Sequence, residues 1–251
     1  MLLAVDIGNT FTKFGIFDDG RLTSKLSIPT IRTATSEALF TVLSPRLPRN
    51  ISAAIICSVV PDADAAMIGF LGSEYSVTPI SVKNDLDFGL TINYTPLEAA
   101  GSDRLVNAFS AVENYTEPCI ICSFGTALTI DAVDGNRNLL GGIIAPGMKT
   151  MANALHLGTA RLPEIDVKQT ERVIQTTTEG AISSGIFYGY LALAEGLIGR
   201  IKTEVGDNAK VIATGGNADI IASQLDVIDV VDGDLLLDGL QLLYTRWVKT
   251  A

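Results

Sequence analysis

One order of local signals occurs twice in this 251-residue chain: apolar run, glycine turn, second strand, aspartate–glycine turn, third strand. The first copy begins with the apolar run Leu2–Val5 and turns at "DIGNT", Asp6–Thr10. It continues through β-rich Phe11–Phe17, turns again at Asp18–Gly20 and resumes as "RLTSKLSI". The second copy is "CIICSFGTALTIDAVDGNRNLLGG", residues 119–142. Gly8-Asn9-Thr10 corresponds to Gly125-Thr126-Ala127, Asp6 to Ser123, and the "DDG" turn to "VDG". The copies differ by about two residues in the intervening strand. They read as a structural echo from an internal duplication rather than a sequence repeat.

Helical signals follow each copy. Ser36–Leu43 and Ala63–Leu71 flank the continuous β-branched run Ile51–Val59, which reads as a strand buried on both faces. In the second half Met148–His156 and Thr178–Arg200 read as helices. "AKVIATGG" reads as a strand entering a glycine pair, and "LLLDGLQLLYTRW" as a closing amphipathic helix. Strands mixed with helices in both halves imply an α/β fold with two similar lobes, residues 1–115 and 116–251.

Composition excludes several classes of function. The chain carries 18 Lys and Arg against 28 Asp and Glu, net −10, with no basic cluster. That argues against nucleic acid and against anionic membranes as partners. A pocket of backbone N–H groups can still bind phosphate. Three cysteines argue against a secreted disulfide scaffold. Cys119 and Cys122 form a C-x-x-C, but it reads as strand and lacks further ligands nearby, so both are expected to be buried small hydrophobes. "MLLAVDIGNT" has no basic n-region, and the apolar run Ile51–Val60 is too short to span a membrane. A cytoplasmic protein is expected.

Three glycine turns each follow an apolar strand: "VDIGNT", "CSFGTA" and "IATGG". Glycine lets backbone approach a phosphate closely, although hairpins need glycine too. None of the three is a Walker A loop or a Rossmann fingerprint. Asp6, at a strand end, can hold Mg²⁺ through water. Lys13 is either a phosphate contact or a solvated strand lysine. In "GSDR", Gly101–Arg104, either Ser102 or Asp103 caps the following helix, or Asp103 is a general base beside an anion-binding Arg104. Both can hold together. His156, the only histidine, is structural or a binding group.

These motifs together resemble the type III pantothenate kinases, of the acetate-and-sugar-kinase, heat-shock-protein and actin superfamily. The resemblance is carried by "DIGNT" with Lys13, "NYTPLEAAGSDR", "SFGTALTID", "GGIIAPGMKTMANALHLGTARLP" and "TTTEGAISSGIFYGY", and it spans essentially the whole chain. It implies two ribonuclease-H-like lobes of the actin-like ATPase fold, with ATP in the cleft between them. It implies ATP-dependent phosphorylation of pantothenate to 4'-phosphopantothenate, the first step of coenzyme A biosynthesis. ATP would be held by Asp6, Gly8, Asn9, Thr10 and Lys13, by Thr126, and near the adenosine by Gly215 and Gly216. Asp6 would lie near Mg²⁺. Pantothenate would contact Tyr94, Gly101, Ser102, Asp103 and Arg104, with Thr178 closing the pocket and His156 as a weaker candidate. Asp103 would accept the hydroxyl proton. A homodimer, a monovalent cation such as K⁺ or NH₄⁺, and resistance to feedback by coenzyme A are also implied.

The chain departs from the family pattern at one chemically important position. The family's second phosphate loop reads D-x-G-T, and its aspartate ligates the monovalent cation, whereas this chain has Ser123. A neutral hydroxyl is a far weaker K⁺ ligand, which counts against a cation requirement and against full activity. Leu128 is a milder departure from a threonine. The alternative reading is a catalytically impaired homologue acting as a nucleotide-binding or regulatory protein. The presence of Asp6, Thr10, Lys13, Asp103, Arg104 and Thr126 argues against it.

Overall fold

The computed structural model describes residues 1–33 and 35–250, with side chains to Val248. In chain order the first elements are β1 (Leu2–Ile7), β2 (Phe11–Asp18), β3 (Arg21–Pro29), α1 (Ser36–Leu43), β4 (Ala53–Ser58), α2 (Pro61–Tyr75) and β5 (Ile80–Ser81). A short strand β6 (Thr91–Ile92) and a 3-10 turn at Leu97–Ala99 lead into α3 (Ser102–Tyr115). Then follow β7 (Cys119–Phe124), β8 (Ala127–Val133), β9 (Asn138–Pro146), α4 (Met148–Leu157) and α5 (Thr178–Val205). The chain closes with β10 (Lys210–Thr214), α6 (Ala218–Ala222), β11 (Val230–Val231) and α7 (Leu235–Thr250).

Two compact units result. Unit 1 comprises Met1–Leu90, Tyr94–Glu113 and Asp234–Ala251, and unit 2 comprises Thr91–Asn93 and Asn114–Gly233. Among the described residues, the sheet of unit 1 has the order β3-β2-β1-β4-β5 and that of unit 2 the order β11-β10-β7-β8-β9-β6. Read from the opposite edge, the second order repeats the first with β6 added outside β9. The polarities repeat as well. β1–β2 and β2–β3 are antiparallel, as are β7–β8 and β8–β9, while β1–β4 and β7–β10 are parallel. The echo in the sequence is therefore a duplicated α/β sheet, and each unit is a mixed α/β lobe.

Strand alternation decides which side chains meet. In unit 1, Leu3, Val5 and Ile7 of β1 join Ala54 and Ile56 of β4 in a core with Leu39 and Leu43 of α1 and Met67, Phe70 and Leu71 of α2. The helices approach closely there: a Cβ on Gly69 would lie 2.4 Å from Ser36 Oγ, which donates to the Ala66 carbonyl. The even residues of β1 therefore face the other side, where α7 packs on β1 and β4 and crosses α3 at Gly239, against Val106 and Ser110. In unit 2, Ile120, Cys122 and Phe124 of β7 face a core built on α5, through Ile186, Phe187, Tyr190 and Ala194.

α5 begins where Thr177 caps it, its hydroxyl accepting from Gly180 N at 3.1 Å, and ends at Gly206 with φ +112°. It is long and apolar enough to cross a bilayer by length and composition alone. Half of that stretch is buried inside unit 2, as expected of a core helix.

The three cysteines are buried free thiols. Cys119 and Cys122 are three residues apart on one strand, so they point to opposite faces of the sheet. Burial raises both thiols, that of Cys119 to about 12, which keeps them protonated and inert.

Candidate functional site

In unit 1 the candidate residues gather where β1 and β4 end. Asp6 lies in register with Lys13 of β2 and Cys57 of β4, so the three side chains share the sheet face turned away from α1 and α2. Asp6 is 9% exposed. Burial lifts its carboxyl to about 7, Lys13 opposes the rise, and the charge of Asp103 adds to it. A buried carboxylate facing both a cation and a second carboxylate is an expensive arrangement without a ligand, and such sites cluster where chemistry is done.

The turn after Asp6 is held from the residues that follow β3. Gly8 N donates to the Phe11 carbonyl at 3.1 Å, and Thr30 Oγ1 donates to the Gly8 carbonyl at 2.7 Å. Thr30 N also bonds the Thr10 carbonyl, and Arg32 reaches the Asn9 side chain at 3.2 Å. Thr30 and Arg32 sit twenty residues downstream of the turn, and only strand pairing brings them back to it. Asn9 and Thr10 are exposed.

The "GSDR" motif opens α3. Leu105 N bonds the Gly101 carbonyl at 3.2 Å, so the helix opens from Gly101, and of the two expected caps Asp103 accepts a first-turn backbone N–H, that of Arg104. Ser102 is buried and turned inward. Its hydroxyl donates to the Ser58 carbonyl at 3.1 Å and accepts from the Cys57 thiol at 3.3 Å, which ties α3 to the end of β4. Burial also raises the Asp103 carboxyl, while its hydrogen bond from Arg104 N at 2.9 Å opposes the rise. A Cβ on Gly101 would lie 2.5 Å from Asp103 Oδ1, so the glycine makes room for that carboxylate. Arg104 is 6% exposed. Its guanidinium lies 5.3 Å from the centre of the Tyr94 ring and donates to the Tyr94 hydroxyl at 3.0 Å.

In unit 2 the second and third glycine turns pack on one another. Gly125 N bonds the Ala127 carbonyl at 3.0 Å. Gly215 adopts φ +94°, and a Cβ there would lie 2.8 Å from the Phe124 carbonyl oxygen, while Asn217 N donates to that same oxygen at 3.1 Å. A third segment joins them: Gly147 N and Thr150 Oγ1 both bond the Thr126 carbonyl, at 3.1 and 2.7 Å. Gly147, Thr150 and Asn217 join the turns without standing out as candidates in the sequence. "APGMKT" carries a signal, a glycine after proline at a helix start, but its meeting with Thr126 depends on the β8–β9 hairpin.

Ser123 lies in register with Thr129 of β8 and Thr214 of β10, on the sheet face opposite α5. His156 and Thr178 lie on α4 and at the start of α5. His156 lies at the far end of α4, roughly 12 Å along the axis from Met148, with Nδ1 2.8 Å from the Leu162 carbonyl. Thr178 is exposed at the start of α5.

Comparison with known proteins agrees with this architecture. The type III pantothenate kinase family model matches residues 2–200. A type III pantothenate kinase of Koribacter versatilis is 37% identical, over 98% of this chain and 96% of its own length. One from Paramagnetospirillum magneticum is 39% identical, over 98% and 97%. Among solved structures, a Baf family transcriptional activator from Campylobacter jejuni superposes with a TM-score of 0.62 at 18% identity, covering 98% and 99% of the two chains. The activator of 2-hydroxyisocaproyl-CoA dehydratase from Clostridium difficile gives 0.50 at 13%, covering 100% and 97%. These structural likenesses speak for the actin-like ATPase fold alone. With the family model spanning most of its length and near-full-length relatives sharing more than a third of its residues, the chain belongs to the type III pantothenate kinase family.

Proposed function

We propose that this family member transfers the γ-phosphoryl group of ATP to the primary hydroxyl of pantothenate, with Asp103 as the base. One observation supports this most. Asp6 at the end of β1 feels the charge of Asp103 in the first turn of α3, with Lys13 opposite the first and Arg104 following the second. Phosphoryl transfer is mainly positioning and charge stabilisation, and this set offers both. Asp103 orients the hydroxyl and takes its proton, and a carboxyl raised by burial is a better base near neutrality. Arg104, stacked on Tyr94, binds the pantothenate carboxylate. Lys13 and the Gly8–Thr10 turn bind phosphate, Thr126 adds a second phosphate contact, and Gly215-Gly216 lie at the adenosine.

Asp6 fits Mg²⁺, since a buried carboxylate disfavoured by desolvation and by a neighbouring carboxylate gains from a hard cation bound through water. Mg²⁺ supplies charge neutralisation along the phosphates when bound. The carboxylate-held monovalent cation does not fit, because Ser123 and its register neighbours Thr129 and Thr214 are all neutral. No step here depends on it. A cytoplasmic homodimer is part of the reading. α5 presents Gly185, Gly189, Gly196 and Gly199 on one side with nothing within 4 Å of where their Cβ atoms would be, a surface suited to close helix packing.

The test is a coupled ADP-release assay with pantothenate, ATP and Mg²⁺. Asp103→Asn should lower kcat roughly 10²- to 10⁴-fold while remaining folded. A folded variant with near-normal turnover would overturn the assignment. Ser123 favours a second reading, a nucleotide-binding protein without kinase activity. Nucleotide binding without pantothenate-dependent turnover would select it.

A further inference from the structure

We infer that Asn84, a residue outside every motif above, positions the pantothenate-binding loop. This rests on the placing of pantothenate at Tyr94 and Gly101–Arg104.

The segment from Tyr94 to Arg104 carries all the unit 1 groups assigned to pantothenate. Its ends are joined by the Tyr94–Arg104 stack and hydrogen bond. Among the described residues its middle, Pro96–Ala100, makes two local backbone bonds, from Ala99 N to the Pro96 carbonyl and from Ala100 N to the Leu97 carbonyl. Asn84 supplies the rest. Its Nδ2 donates to the Leu97 carbonyl at 3.0 Å and to the Ala100 carbonyl at 2.5 Å. One amide thus uses both its hydrogens on two carbonyls three residues apart, and the second immediately precedes Gly101.

The base of this clamp is itself anchored. Leu86 N bonds the Lys83 carbonyl, and Gly89 N bonds Asp87 Oδ1 at 2.7 Å, which fold the segment after Asn84 into turns. From α7, Arg246 pairs with Asp87 at 3.2 Å, Trp247 Nε1 donates to the Asp87 carbonyl at 3.0 Å, and the Trp247 ring meets Phe88 edge to face. The amide of Asn84 therefore reaches the substrate loop from a fixed support. A cavity of about 370 Å³ lined by Lys83, Asn84, Asp85, Leu97 and Glu98 lies beside it. The loop has space to move into once the two bonds are cut. Asn84 touches neither substrate in this account, so it is a positioning residue.

The experiment compares Asn84→Ala and the isosteric Asn84→Asp, which keeps the shape and loses the donors, with Arg104→Ala as a control. KM is measured separately for pantothenate and ATP. Fluorescence of Trp247, the only tryptophan, verifies that each variant is folded at the assay temperature. The expected result is a roughly tenfold or larger rise in pantothenate KM for both Asn84 variants, with ATP KM within about twofold of wild type. Unchanged pantothenate KM in the Asn84 variants, with Arg104→Ala raising it, overturns this inference and leaves the substrate site standing. Equal rises for both substrates also overturn it, because they mean general loosening. If Arg104→Ala itself leaves pantothenate KM unchanged, the substrate site fails and this inference fails with it.

Discussion

The β1–β2 turn and the β7–β8 turn are built on one plan and furnished differently. Asp6 and Ser123 occupy equivalent places, each one residue before the last of its strand, on the sheet face away from the main helical core. Their register partners differ: Asp6 faces Lys13, and Ser123 faces Thr129. The turns also differ in length. Ile7 pairs with Thr12 across residues 8 to 11, and Phe124 pairs with Leu128 across residues 125 to 127. Their supports differ too. The Thr30 hydroxyl and the Arg32 guanidinium, just after β3, brace the first, while close glycine contacts at Gly147 and Gly215 brace the second together with the Thr150 hydroxyl. Duplication fixes where a residue sits; the residue type then assigns the charge work to the first turn and leaves the second to work through its backbone.

The largest effect expected from breaking this division is at Asp6. Asp6→Asn should lower turnover roughly 10²-fold or more, since a charged group at the phosphates is removed. It should also stabilise the ligand-free chain above neutral pH. The folded carboxyl titrates near 7 and an unfolded one near 3.8, so the unfolded chain loses its proton first. Stability is full below about pH 4 and falls as pH rises through 7, by up to about 4 kcal/mol. Thermal melts of the ligand-free protein at pH 5 and pH 8 measure the fall, and Asp6→Asn should flatten it. Equal pH dependence in both proteins would refute this account.

The second turn should break through its backbone. Gly215→Ala needs φ +94° and a Cβ 2.8 Å from the Phe124 carbonyl, so it should cost about 1–3 kcal/mol and raise ATP KM more than pantothenate KM. Denaturant melts and substrate titrations read the two parts. Ser123→Asp sharpens the comparison from the other side by giving the second turn a carboxylate without an opposing lysine. It should lower stability in cation-free buffer by about 1–3 kcal/mol and introduce stimulation by K⁺. A stable variant indifferent to K⁺ would mean that the equivalence with Asp6 is only topological. The smallest effect should come from Thr150→Val, which removes one hydrogen bond to the Thr126 carbonyl: roughly 1 kcal/mol, seen as a small shift in melting temperature.

Much of this was legible beforehand because local chemistry decides it. Ser36–Leu43 is a helix with the expected ends, and the Asp18–Gly20 turn falls between β2 and β3. The equivalence of Asp6 and Ser123 followed from glycine spacing alone. Other features were not legible. Ser102 read as a substrate contact or a cap, yet its hydroxyl is spent on Cys57 and Ser58, 45 and 44 residues away. Thr30, Arg32, Thr150 and Asn217 serve the turns by returning to them through strand pairing; nothing near Thr30 and Arg32 marks them, and the glycines near Thr150 and Asn217 mark a turn without saying what it meets. Asn84 is the extreme case, since its sequence context is an ordinary polar loop.

By itself, then, the order of residues determined the doubled strand–turn–strand plan, the helices and the family motifs. Each of these rests on a period of two or 3.6, a glycine, or a run of motif residues read within a few positions of itself. Only the tertiary structure decided that α7, last in the chain, packs on β1, and that one sheet face sets Asp6 beside Lys13 and Cys57. It also decided that burial moves the carboxyls of Asp6 and Asp103 toward neutrality. The reason is physical. Desolvation and charge coupling depend on distance in space, and the chain brings residues together across separations that no local pattern records.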